Sequence, residues 1–554
     1  MEPINRTELT AVESPLEMLL TAASLIPITH HLLGFSLILI VFLYNFLEIH
    51  FLQDLFTGFR GQPVVLTIDT CSQLYRDVVS KCKTLHGRYL STPWLCSPNL
   101  QTTFLHYFGN PPAVSYKRHI FMTSDGGTLA LDWVENAQVK GQAFQVDGPV
   151  QKDGENPILI IVPGLTSASD SAYVKHLAFI MAKRGWNVVV SNHRGLGGVS
   201  ITSDCFYNGG WTEDIRNVIN HIHCQYPEAP LYVVGTSIAY GFPLQGSIKY
   251  LAEEGMNAPV VGAAAICSPW DLLICDRFMN RKLIQRLYNK ALAVGLKDYA
   301  QMHEAVLSRI SNWEGIQKVP FDFINTIVVR DFDDSATRVL GNYETVDTYY
   351  RRCSSANFVG SVMVPFLCIS ALDDPICTRE AIPWDECRLN KNVVLATTEH
   401  GGHLPFFEGL TATNVWWVRA VDEFFSILQS SPRKIQISVP SVNPGESSID
   451  QAPYVHLSED GMVGGVSDET QVEHQEQNKA GDRIHDELSQ PPNTGQGMAT
   501  IVAPVMKHLN QLSRQNRTSL WLLAYIAFLT TWPLVGSAVS VFFRKRFKAR
   551  FFSP

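Results

Sequence analysis

No Cys-x-x-Cys pair occurs in this 554-residue chain, and its 11 cysteines, spread singly from Cys71 to Cys387, are odd in number. That excludes a zinc ribbon and argues against a disulfide framework, leaving buried thiols in a reducing compartment. A basic stripe is also missing. The net charge is −8, and no nucleic-acid motif is present, so nucleic acid is not expected as a partner. The run "NHRGLGG" (192–198) has the glycines of a phosphate cradle but lacks the Lys-Ser/Thr of a P-loop, and reads as a structural loop lining a pocket. His221 and His223 stand two apart, on different faces of a helix, and do not form a metal site. No repeat of solenoid length is visible. Neither a metal nor an organic cofactor is expected.

Charge is absent from two stretches near the ends. No Asp, Glu, Lys or Arg lies between Glu17 and Glu48, and "LLGFSLILIVFLYNF" (32–46) is dense in Leu, Ile and Phe. That run falls slightly short of the ~20 residues of a bilayer span, but its flanks extend it. A cleaved signal peptide is the competing reading; the acidic start (Glu2, Glu8, Glu13, Glu17) argues against it. A buried core helix is the other alternative. From Leu520 to Phe543 there is no charge at all, and Arg544, Lys545, Arg546, Lys548 and Arg550 follow. Such a cluster stays cytosolic. Arg514 and Arg517 on the other flank, with Pro533 in mid-run, permit a re-entrant hairpin as well as a span. Two spans would put the central domain in a lumen. Unpaired cysteines, and no Asn-x-Ser/Thr between 55 and 510, point instead to the cytosol, and a cytosol-facing domain on an endomembrane is expected.

Aromatic residues are scarce in 431–515, where Ser, Gln, Pro, Gly and acids dominate, so a disordered linker is expected there. The resulting division is a membrane segment over 1–55, a lead-in over 56–110, a catalytic domain over 111–430, the linker over 431–515 and a second membrane segment over 516–554.

The middle is rich in short, continuously apolar runs: "ILIIV" (158–162), "NVVVS" (187–191), "LYVVG" (231–235), "VVGAAAI" (260–266), "PFLCIS" (365–370) and "VVLATT" (393–398). Strands of this kind, separated by helical segments, imply an α/β fold whose mostly parallel sheet is covered on both faces. Two alternating runs over 115–133, joined at Asp125-Gly126-Gly127, predict an antiparallel hairpin at the sheet edge.

Chemistry gathers where such strands end. Ester cleavage by serine needs a base, a group to orient the base, and N–H donors for the oxyanion. "LYVV" leads to Gly235-Thr236-Ser237, a nucleophile elbow in which Ala239 replaces the second glycine of Gly-x-Ser-x-Gly. "PFLCISALDDP" puts Asp373 and Asp374 past a strand; Asp374, before Pro375, is the preferred acid. "VVLATTEHGGH" offers His400 and His403; His403, after two glycines that let the loop fold back, is the preferred base. The order Ser, acid, His is that of the α/β-hydrolases. The N–H groups of Leu165, in "IIVPGLTSAS" (160–169), and of Ile238 are the expected oxyanion donors.

These motifs carry a resemblance. "TPWLCSPNLQT" (92–102), "VPGLTSAS" (162–169), "NHRGLGG" (192–198), "YNGGWTEDI" (207–215), "GTSI" (235–238), "ALDDP" (371–375) and "EHGGHLPFFEG" (399–409) make the chain resemble the AB-hydrolase type 4 branch of the α/β-hydrolase superfamily, above all its plant embryogenesis-associated-protein-like members, over about 90–430. The resemblance implies an α/β-hydrolase fold with a helical cap over about 268–360. It implies hydrolysis of carboxylic esters, often acyl lipids, with Ser237 as nucleophile, Asp374 as acid and His403 as base. The chain departs from the branch after the serine. Members continue as Ile-Gly-Ala-Asn and soon reach a Lys-Tyr-Leu helix; here "AYGFPLQGS" (239–247) intervenes before Ile248-Lys249-Tyr250-Leu251. That is an insertion of roughly one turn, and it implies a helix that starts late, near Pro243, or one that is broken. The expected function is a membrane-anchored serine esterase or lipase. Alternatives are an alcohol O-acyltransferase using the same acyl-enzyme, and a membrane-anchored interaction protein with an impaired elbow.

Overall fold

"ILIIV" forms a strand buried along its whole length, with Ile158, Ile160 and Val162 in one apolar cluster and Leu159 and Ile161 in another. A strand apolar at every position needs a layer on each face, and each such side chain contributes ~1.5–3 kcal/mol by leaving water. In the computed structural model, which describes residues 27–135, 156–205, 208–237, 243–317, 328–431, 456–457 and 463–464, nine strands form one sheet. They are β1 (Val65–Thr67), β2 (Tyr116–Met122), β3 (Thr128–Val134), β4 (Ile158–Val162), β5 (Asn187–Ser191), β6 (Leu231–Thr236), β7 (Val260–Ile266), β8 (Phe366–Ala371) and β9 (Val393–Thr398), in the order β1-β9-β8-β7-β6-β4-β5-β3-β2. The pairs among β4 to β9 are parallel; β1, β2 and β3 join antiparallel at the two edges. The hairpin predicted over 115–133 is β2–β3.

One cluster is covered by α5 (Glu213–Gln225) and α6 (Pro243–Glu254), which supply Ile215, Val218, Ile219, Ile222, Ile248 and Leu251. The other is covered by α4 (Ala172–Lys183) and α10 (Trp416–Ser430), whose Trp416, Trp417, Phe424 and Phe425 are fully buried. Ahead of the sheet lie α1 (Ile28–Phe46), α2 (Phe51–Phe56) and α3 (Pro98–Tyr107). Only Gly34 of α1 is buried, which overturns the core-helix alternative for this stretch. Among the described residues α1 is the one helix long and apolar enough to cross a membrane. The expected linker (beyond the strand pair at 456–457 and 463–464) and the stretch 520–543 lie outside the described residues. The chain divides into two compact units, Met1–Ser447 and Ser448–Pro554; within the second, His456–Leu457 pairs antiparallel with Val463–Gly464.

Between β7 and β8 the chain is largely helical, with α7 (Leu272–Met279), α8 (Leu283–Met302) and α9 (Val346–Cys353). The long α8 lies over the carboxyl ends of the strands. Tyr288 Oη donates to the Asn99 carbonyl at 3.3 Å, and Tyr299 Oη to that of Arg194 at 2.8 Å. Between them, a Cβ on Gly295 would meet Thr166 Oγ1 at 3.5 Å.

This helical region contains a buried acid. Asp333 is fully buried, and its Oδ2 accepts from Tyr350 Oη at 2.7 Å. Burial pushes its carboxyl up to about 7 against the pull of hydrogen bonds from Thr337 and Tyr350. The folded protein then holds a proton that the unfolded chain releases near pH 4. Stability is therefore lost as pH rises from about 4 to about 7 and stays low above. Asp333→Asn removes this dependence, so its effect on stability relative to the parent becomes more favourable between pH 5 and pH 8, by about 1–3 kcal/mol. Thermal melts at the two pH values check it; the same difference at both would show that Asp333 is ionised throughout.

Candidate active site

Strand register brings the candidate groups together. Val162 of β4 pairs with Gly235 of β6, and Thr236 with Ile266 of β7, so the chain leaves these strands at one level. Ser237, next in line, has φ +66°, a backbone conformation that costs a residue with a Cβ about 1–3 kcal/mol. Its N–H donates to the Ile266 carbonyl at 2.8 Å, which ties the strained residue to the sheet. Gly164 passes so close that a Cβ there would stand 2.9 Å from Ser237 Cβ; this approach needs glycine. The neighbouring Leu165, one expected oxyanion donor, is buried beside the serine. Ile238, the other, and the insertion up to residue 242 lie outside the described residues. The helix after the elbow runs from Pro243.

At the other end of the site, Ala371 pairs with Thr398, and the Leu372 N–H donates to the Thr398 carbonyl at 2.9 Å. The loops after β8 and β9 therefore start side by side. Asp374 Oδ2 accepts from His403 Nδ1 at 2.8 Å, while its Oδ1 accepts the N–H groups of Ile376 and Cys377, both at 2.8 Å. With its Nδ1 proton committed to the carboxylate, His403 presents the Nε2 lone pair to the hydroxyl of Ser237, with which it is hydrogen-bonded. All three side chains are over nine-tenths buried: Ser237 is 8%, Asp374 3% and His403 7% exposed. The structure thus brings together Ser237, His403 and Asp374. It pairs the second choices with each other: His400 Nδ1 lies 3.3 Å from Asp373 Oδ2.

Cys267 Sγ lies within 4.8 Å of the ligand atoms of Asp374 and His403. Burial, with the Asp374 charge, pushes its thiol well above the ordinary range. His403 has both ring nitrogens engaged, Nδ1 with Asp374 and Nε2 with Ser237, so the arrangement reads as Ser-His-Asp with a buried cysteine beside it.

Several supporting residues were not singled out by sequence reasoning, although the motifs containing them were. Thr102, at the end of "TPWLCSPNLQT", accepts the His403 backbone N–H on Oγ1 at 3.0 Å. A Cβ on Gly402 (φ +63°) would meet the Pro98 carbonyl oxygen at 2.8 Å, so the base loop lies directly on this motif. "NHRGLGG" holds the other side. Asn192 Oδ1 accepts the Ser169 N–H at 2.9 Å, and His193 Nε2 donates to the Pro163 carbonyl at 2.9 Å. Burial pushes the His193 imidazole down to about 4, which keeps it neutral. Arg194, 1% exposed, is held by Asp125 and Asp214. The run therefore braces the loop of Leu165, a more specific role than the pocket lining expected of it.

The sheet, the strained serine at the end of its central strand and the covering helices define an α/β-hydrolase. No family model matches the chain. It is 33% identical over 359 residues to embryogenesis-associated protein EMB8 of Picea glauca, spanning 64% of this chain and 76% of that protein. It is 30% identical over 329 residues to phospholipase ABHD3 of Mus musculus (59% and 75%), and 28% identical over 381 residues to monoacylglycerol lipase of Saccharomyces cerevisiae (63% and 82%). The chain belongs to the AB-hydrolase family of the EMB8/ABHD3 type, and it is a carboxylic ester hydrolase.

Proposed function

We propose that this ester hydrolase works through an acyl-enzyme on Ser237 and acts on acyl lipids at a membrane. Ser237 Oγ attacks the ester carbonyl as His403 Nε2 takes its proton. His403 then protonates the leaving alcohol, and Asp374 holds the imidazole in the required tautomer and steadies its charged form. The N–H groups of Leu165 and Ile238 receive the oxyanion. Water, activated by His403 in turn, releases the acid. The observation that carries this reading is the continuous hydrogen-bonded path from Ser237 Oγ through His403 to Asp374. Lipid substrates are supported by the phospholipase and lipase named among the relatives and by the exposed apolar α1, which would anchor the domain where such substrates reside.

A fluorophosphonate probe tests the chemistry: mass spectrometry of the labelled full-length chain should find the adduct on Ser237, and an adduct elsewhere or none would reject the assignment. Product analysis with ethanol competing against water distinguishes hydrolysis from acyl transfer. The anchoring carries its own expectation, a cytosol-facing domain on a helix that carbonate does not extract. Protease added to sealed microsomes should degrade the domain, and full protection would place it in the lumen.

A further inference from the structure

The second histidine–carboxylate pair, His400 with Asp373, has no part in the chemistry above, yet, half-buried itself, it belongs to a cluster that begins outside the sheet. His50 and Asp54 come from the short segment between α1 and the first strand of the sheet. Both are buried, at 6% and 2% exposed, whereas Leu52, Leu55 and Phe56 of the same helical turn face outward. The usual order is reversed: a histidine and an acid are turned inward and the large apolar groups outward. Burying such groups is costly unless they are partnered; His50 Nε2 lies 3.0 Å from Ser91 Oγ and 3.4 Å from Asp54 Oδ2. The His50 ring lies flat on that of His400, centroids 3.7 Å apart and planes within 4°.

A shared metal ion does not account for this cluster. An ion binds in the plane of each imidazole that ligates it, at about 2 Å from nitrogen. Two parallel rings stacked face to face have no such common point. Stacking does account for it. Burial and the neighbouring His400 push His50 down to about 3, so it is neutral. Burial pulls His400 down, but its hydrogen bond to Asp373 and the charges of Asp373, Glu399 and Asp54 outweigh this and raise it. The neutral His50 ring thus adds no like charge beside His400.

The cluster is wired to the base. Asp373, which pairs with His400 through Oδ2, accepts the Gly402 N–H on Oδ1 at 2.9 Å. Gly402 immediately precedes His403. The same segment is pinned to the motif that receives the His403 backbone: the His50 N–H donates to the Cys96 carbonyl at 2.8 Å, and Ser97 Oγ and Asn99 Nδ2 both donate to the Leu47 carbonyl.

We propose that His50 is a positioning residue: the segment following the apolar helix α1 clamps His400 and, through Asp373 and Gly402, holds His403 in reach of Ser237. This rests on the Ser237–His403–Asp374 reading and deepens it, because it makes the connection to α1 part of the catalytic apparatus instead of a passive tether.

The test uses the full chain purified in detergent, with two variants of similar bulk. His50→Phe keeps a flat neutral ring over His400; His50→Leu fills the space without one. The readouts are the rate of fluorophosphonate labelling at Ser237, and kcat and KM on p-nitrophenyl butyrate, a substrate that needs no bilayer. Misplacing a reacting group by about 1 Å can cost up to ~10²-fold. The Leu variant should therefore lose about tenfold or more in labelling rate and kcat, with KM within about twofold, and the Phe variant should stay within about threefold of the parent. Equal rates for Leu and Phe, or a loss expressed in KM alone, would overturn the proposal. Should the Leu variant not fold, the Phe variant decides, a tenfold loss counting against. A parent chain that is not labelled at Ser237 overturns the triad reading, and this proposal with it; a labelled parent with an unaffected Leu variant overturns this proposal only.

Discussion

Ser237→Ala is expected to abolish turnover of a short p-nitrophenyl ester, and His403→Ala to cost nearly as much. In the proposed mechanism the serine supplies the atom that bonds to the acyl carbon, and no other described hydroxyl is hydrogen-bonded to the His403 ring. The histidine supplies the lone pair, and its Nδ1 proton is already committed to Asp374 at 2.8 Å. Each is useless without the other, so losses of order 10⁴–10⁶ in kcat for either single variant should barely deepen in the double variant. Asp374→Asn tests a different link. An amide in place of the carboxylate can present NH₂ to Nδ1 and favour the wrong tautomer, costing about 10⁴ with the geometry otherwise kept. Steady-state kinetics on the three single variants and the Ser237/His403 double variant check this. Losses that multiply in the double variant would mean that the two side chains act independently. Fold is not at risk at Ser237, because the residue is held by its backbone bond to Ile266.

The sheet was legible in the sequence for a plain reason. Six continuously apolar runs can be buried only on both faces, and each of them is a strand of the sheet. The edge hairpin was legible from its Asp-Gly-Gly turn. The short β1, three residues long, was not, since a strand that brief carries no periodicity. At the site, the preference for His403 over His400 came from chain geometry: Gly401 and Gly402 permit the return that places His403 against Thr102. The supporting residues were much less legible. Thr102, Asn192 and His193 act through contacts to partners up to 301 residues away, and no local pattern announces such a partner. His50 is the extreme case. It stands just beyond an apolar run, where a membrane flank is the natural reading, and only the fold shows its ring on His400. Nor could the sequence decide the path of the chain after Ser237, because glycines and a proline permit several backbone routes.

That stretch sets the last expectation. Removing about one turn from 239–247, with glycine restored at 239, should raise turnover of the native chain. Up to Ser237 the elbow has the form the chemistry needs: the positive φ, the tie to Ile266 and the close pass of Gly164. Residues 238–242 lie outside the described residues, and α6 is described from Pro243; the late helix start is the expectation taken from the insertion in the sequence. Two effects would result. The Ile238 N–H must aim at the oxyanion, and one misdirected donor costs roughly 10²–10³ in turnover. The positive end of α6 also contributes only within about its first turn, so a delayed start weakens it at the place where charge develops. Both effects act on the transition state more than on the bound ester, so the gain on trimming should lie in kcat, by up to about 10²–10³, with KM little changed. The fluorophosphonate rate should rise in parallel, since phosphonylation builds the same charge on oxygen. Native turnover equal to or above that of the trimmed chain would show that the insertion bulges outward beyond Ile238 and leaves the donor in place.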